Sequence, residues 1–131
     1  LGVKHALATN SATAALHLSL ACLELKPGDE IITTNSSCVA SAMPIAYEGL
    51  NAKFVDVKTS DWNLDPVEVE KNISSNTKAI IAVHWNGHPC DMNALQNIAL
   101  KSKIEITVPT INGKKNKNKT KLQLYNDIYS S

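Results

Sequence analysis

The chain has 131 residues, 44% of them hydrophobic and 19% charged, with a formal net charge of +1. That composition suits one modest soluble core, or a piece of one. It contains no run of about 18 apolar residues and no basic-then-apolar leader, so neither a helical membrane span nor a secretory signal is supported and a cytoplasmic location is the expectation. Cys22, Cys38 and Cys90 are odd in number and far apart, so reduced thiols are expected rather than a disulfide framework. The chain opens on Leu1, and the expectation is a segment of a longer reading frame.

Strand-like and helix-like stretches then alternate. "KHALAT" (4–9) is short and apolar, and "NSATAALHLSL" leads into a helix over 12–24, with Ala15, Leu16, Ser19, Leu20 and Leu23 at helical spacing. Pro27 and Gly28 follow its end. "IITT" (31–34) is a second strand, 38–48 a second helix, "AKFVDV" (52–57) a third strand and 66–73 a short helix. "KAIIAVHW" (78–85) is the plainest strand, and "DMNALQNIALKS" (91–102) is a helix capped by Asp91. Strands and helices at this pitch imply parallel strands joined by right-handed crossovers, hence a three-layer α/β/α architecture with a mostly parallel sheet.

That order puts Ser11, Ala12, Thr13 and Ala14 where a strand end feeds a helix N-terminus. Two readings fit. Ser11 can simply cap the helix, or the first-turn amides, two hydroxyls and a small residue between them can receive a phosphate. In "VHWNGHPCDM", His84, His88 and Cys90 have zinc-ligand chemistry. Gly87 and Pro89 make that stretch a turn, however, and no fourth ligand stands near, so no metal is expected. Residues 1–113 hold 8 Lys against 11 Asp and Glu, while 114–131 hold 5 Lys against Asp127 alone. "KKNKNKTK" (114–121) lacks aromatics and Arg, and reads as a solvated run rather than a nucleic-acid patch.

Three blocks, "GVKHALATNSATAALHLSLACLELKPGDEIITT", "YEGLNAKFVDV" and "NTKAIIAVHWNGHPCDMNALQNIA", resemble successive blocks of the DegT/DnrJ/StrS-type aminotransferases. These enzymes use pyridoxal 5′-phosphate to aminate keto sugars attached to a nucleotide. The resemblance covers about residues 2–106. It implies the large domain of a pyridoxal-phosphate transferase of the aspartate aminotransferase type, truncated, working as a homodimer with an amino-acid donor and a nucleotide-linked keto sugar. Ser11-Ala12-Thr13, followed by Ala14, matches the triplet that binds the cofactor phosphate in such enzymes, which favours the phosphate reading. Cys38 matches the position of an aromatic ring set over the pyridine face, where a thiol gives weaker contact. His84 to Gly87 resembles the strand end that runs beside the cofactor, making His84 a cofactor neighbour. Asp56 and "DWNLD" look like scaffold.

After the helix at 91–102 the resemblance implies a strand ending in Glu-Asp-Ala, whose Asp pairs with the pyridine nitrogen. In register that Asp falls at Pro109. The Schiff-base Lys of the family lies farther on, and Lys78 stands before a strand in a scaffold motif. Residues 1–106 are therefore read as a partial transferase domain and 107–131 as a non-matching Lys/Asn-rich tail, disordered or out of frame. The expectation is an aminotransferase fragment, inactive by itself. A dehydratase of the same family, with His replacing the Lys, and a non-catalytic phosphate-binding or regulatory module are the alternatives.

Overall fold

The computed structural model describes residues 7–107. Four strands are present among them: β1 (Glu30–Thr33), β2 (Asn51–Phe54), β3 (Thr77–Ile81) and β4 (Glu105–Thr107). They form one sheet in the order β2-β1-β3-β4, and every pairing is parallel. The helices between them are α1 (Ala12–Ala21), α2 (Met43–Tyr47), α3 (Pro66–Asn72) and α4 (Met92–Ser102).

The two-residue side-chain period of the strands explains the layering. Ile31, Ala79 and Ile81 point to one face, where they cluster with Leu16 and Leu20 of α1 and with Ile45 and Leu50. Ile32, Ile80 and Ile106 point to the other, against Val69 of α3 and Leu95, Ile98 and Ala99 of α4. Both faces of β1 and β3 are thus covered, as their continuous apolar runs require. The result is the expected α/β/α sandwich.

Element boundaries differ from the pattern-based reading in instructive ways. The helix expected over 38–48 is two pieces, a 3-10 turn at Val39–Ser41 and then α2. Pro44 cannot donate to Ala40, so a continuous ladder cannot pass through it; it sits instead in the first turn of a new helix. α1 stops at Ala21, with Glu24 in the left-handed region at φ 52°. β2 ends at Phe54, and Val57 pairs antiparallel with Leu64 instead. β3 ends at Ile81, before the turn that starts at His84. Of the strand expected over 4–9, residues 4–6 lie outside the described residues and 7–9 carry no strand. There the Thr9 hydroxyl donates to the Ser11 carbonyl at 3.0 Å, turning the chain toward α1. Asp91 caps α4 as read, accepting from the Ala94 amide at 3.0 Å.

The chain steps from β1 outward to β2, then crosses back to place β3 on the opposite side of β1. The reversal lies between β1 and β3. In open α/β sheets, ligands bind at the carboxyl ends of the strands beside such a reversal.

Candidate functional site

Two segments leave the sheet at that reversal. Thr34 to Cys38 follows β1, and Ala82 to His84 follows β3, so Cys38 and His84 come off the two strands that flank the reversal. α1 packs against Val39–Ser41, the turn that Cys38 opens. Among the described residues no hydrogen bond or ring contact joins Ser11, Cys38 and His84 to one another.

At the start of α1, Ser11 is extended (φ −161°, ψ 159°) and its Oγ accepts from the Ala14 amide at 3.1 Å. The first intrahelical bond runs from the Ala15 amide to the Ser11 carbonyl at 3.1 Å. The amides of Ala12 and Thr13 lie ahead of that ladder, in the turn where the helix dipole is positive. Ser11 Oγ accepts from Ala14 and still carries a hydrogen to donate. Ala12 is exposed and has only a methyl group to exclude a bulky oxyanion. The Thr13 hydroxyl is half-buried and makes no hydrogen bond to another described residue. This donor set fits a phosphate. It also shows that capping and anion binding are compatible at Ser11, because they use different parts of its hydroxyl.

Cys38 is exposed, a free thiol, and makes no side-chain cap bond to the turn it opens. It supplies no ring to lie on a cofactor.

His84 is half-buried, and its Nδ1 accepts from the Cys90 amide at 3.2 Å. Its pKa lies below the ordinary imidazole value, chiefly because burial disfavours the cation and secondarily because His88 is near. Cys90 is buried; its thiol donates to the Val83 carbonyl at 3.1 Å and its pKa is pushed up to about 11, mainly by burial. The thiol is protonated and engaged. Among the described residues no group of three His, Cys, Asp or Glu side chains converges as a metal site.

One residue here is invisible to motif reading. Asn63, in the "DWNLD" segment, is 1% exposed. Its Oδ1 accepts from the Trp85 amide at 2.9 Å and lies 3.5 Å from the Cys90 sulfur, and its Nδ2 donates to the Pro89 carbonyl at 3.3 Å. The 56–65 loop is thereby fastened to the 84–90 turn. Trp62 and Trp85 sit above that seam with ring centroids 6.4 Å apart, and Trp62 and Asn86 both have positive φ, 59° and 47°. Only the Asn and Asp types at 61–65 hinted at a loop built on side-chain bonds.

The chain matches the model of the DegT/DnrJ/EryC1/StrS aminotransferase family over residues 1–108. It belongs to that family. It is 42% identical over 98 residues to GDP-perosamine synthase of Caulobacter vibrioides, covering 75% of this chain and 26% of that enzyme. Among solved structures, Helicobacter pylori PseC, an aminotransferase involved in the biosynthesis of pseudoaminic acid, superposes with a TM-score of 0.77 at 37% identity, over 84% of this chain and 30% of PseC. NtdA of Bacillus subtilis, solved with bound cofactor PMP, gives 0.74 at 32% identity, over 76% and 23%. The chain spans about a quarter of the length of the curated relatives it matches. The fold is thus that of the pyridoxal-phosphate sugar aminotransferases, and the family's cofactor is pyridoxal phosphate. No helix among the described residues is long and apolar enough to cross a membrane.

Proposed function

We propose that this chain forms the cofactor-phosphate end of an aminotransferase that acts on a nucleotide-linked keto sugar. The observation that carries the reading is the start of α1, where a capped, ten-residue helix offers the Ala12 and Thr13 amides ahead of its ladder, flanked by two hydroxyls. Pyridoxal phosphate supplies the electron sink that amino-group transfer requires. The residues of this chain bind and orient it: the amides and Ser11 and Thr13 hydroxyls hold the phosphate, Ala12 and Ala14 leave it room, and His84 and Cys38 line the crevice at the sheet reversal. Nucleotide-sugar chemistry is supported by relatives such as DesI, solved in the presence of its TDP-sugar product.

The 131 residues by themselves do not complete the transfer in this reading. Position 109, where a pyridine-pairing carboxylate is expected, is Pro109, and the lysines from Lys114 onward lie beyond the matched residues. The amino-acid donor, the homodimer and a cytoplasmic setting belong to the same proposal for the whole enzyme.

PMP tests the phosphate assignment cleanly, because it has no aldehyde to react with surface lysines. Titrated into wild type and Thr13→Val and followed by tryptophan fluorescence, PMP should bind the variant roughly ten- to a hundredfold more weakly, the effect of one charge-assisted hydrogen bond of about 1.5–3 kcal/mol. Equal dissociation constants would remove Thr13 from the site.

A further inference from the structure

Asn63 and His84 lie 21 positions apart in sequence, yet hydrogen-bond logic links them without ambiguity. A backbone N–H can only donate and a carbonyl can only accept. The Trp85 amide at 2.9 Å therefore fixes which terminal atom of Asn63 is oxygen, and the Pro89 carbonyl at 3.3 Å fixes which is nitrogen. These two bonds hold both ends of the turn that runs from Trp85 to Pro89. The next residue, Cys90, is held by its thiol, which donates to the Val83 carbonyl at 3.1 Å with Asn63 Oδ1 at 3.5 Å. So tethered, the Cys90 amide donates to His84 Nδ1 at 3.2 Å.

The same rule applies to the ring. Nδ1 faces an N–H, so it must present its lone pair, and the proton of the neutral imidazole must sit on Nε2. A cationic ring would set one N–H against another, and burial disfavours that charge as well. Nε2 has no partner among the described residues. His84 follows β3, one of the two strands flanking the reversal.

We propose that Asn63 is a positioning residue: by clamping the 84–90 turn it locks His84 as the neutral Nε2–H tautomer, a donor available to an oxygen of the bound cofactor. The identity of that acceptor rests on the function proposed above; the clamp and the tautomer do not.

The experiment is a long-range ¹⁵N–¹H correlation on the whole chain labelled with ¹⁵N-histidine, with His84 assigned by the signals lost in His84→Gln. Wild type at neutral pH should show His84 with protonated Nε2 and bare Nδ1. In Asn63→Leu that is folded by circular dichroism, both tautomers should appear. A protonated Nδ1 in wild type, or a single unchanged tautomer in the folded variant, overturns the proposal. Amide exchange in wild type tests the clamp without a variant: the Trp85 amide should exchange at least tenfold more slowly than that of exposed Asn86, and equal rates overturn it. Adding PMP separates the two layers of the argument. A shift at His84 Nε2 supports the cofactor role. PMP bound at the Ala12 and Thr13 amides with no change at Nε2 removes that role, whereas no PMP binding with the tautomer intact is a failure of the proposed function instead.

Discussion

The start of α1 and the turn after β3 dispose of their polar groups in opposite ways. At Ser11 to Ala14 the polar groups are supplied by the backbone of a helix end, and the Ala12 and Thr13 amides stand ahead of the ladder. At His84 to Cys90 most of them are consumed: Asn63 pairs the Trp85 amide and the Pro89 carbonyl, and Cys90 pairs His84 Nδ1 and the Val83 carbonyl. A receptor for an anion needs the first kind of region, because its donors must be open when the ligand arrives. A rigid wall needs the second, because unpaired groups there would let the loop collapse. The difference shows that stability and affinity should respond to different residues.

The largest effect should come from breaking the closed region. Asn63→Ala removes a side chain that is 1% exposed, and strips partners from the Trp85 amide and the Pro89 carbonyl. A loss of roughly 2–4 kcal/mol of unfolding free energy is expected in urea, about 1 kcal/mol per hydrogen bond plus the truncation of buried atoms. Where the variant remains folded, PMP affinity should fall less than in Thr13→Val. The reverse order of effects would mean that the turn, not the helix end, carries the ligand.

The open region separates from its cap by a pair of changes at Ser11. Ser11→Ala should lower stability by about 1 kcal/mol, whereas Ser11→Gly should cost only a few tenths, since Gly is tolerated at an N-cap. Both remove the hydroxyl hydrogen, so both should weaken PMP several-fold. If Ser11→Gly binds PMP as wild type does, Ser11 is a cap alone and the amides act without it.

The contrast also explains what the sequence made legible. Local signals sufficed for the helix end: Ser11 before a small, apolar-periodic run is a cap pattern, and β1 and β3 carry the adjacent pairs Ile31-Ile32 and Ile80-Ile81, which the two faces of the sheet bury. They suffice for Asp91 as the cap of α4 as well, and the structure adds Asp65 as the cap of α3. Pattern failed where a single residue overrides its neighbours, as Pro44 does in dividing the 38–48 helix. It failed entirely at Asn63, whose partners lie 22 and 26 positions away. No periodicity encodes that pairing, because it exists only once β3 and the 56–65 loop are brought together.

The smallest expected effect is a pH dependence lodged in the closed region. Unfolded, His84 takes up its proton near its ordinary value of 6.5; folded, it does so at lower pH, first because burial disfavours the cation and second because His88 is near. Between those two values the unfolded state binds more protons than the folded one. Stability therefore rises with pH through that window, and the contribution is lost as pH falls below about 6.5 toward the folded value. One proton can give a slope of at most about 1.4 kcal/mol per pH unit. Carboxylates titrate lower in the scale and add their own slope, so the comparison must be between wild type and His84→Gln, which keeps an acceptor within reach of the Cys90 amide. Urea melts between about pH 7.5 and about pH 5 should give a steeper decline for wild type. Parallel declines would show that the ring is no more reluctant to charge in the fold than in the open chain, and would take from the turn the closed character that sets it apart from the helix end.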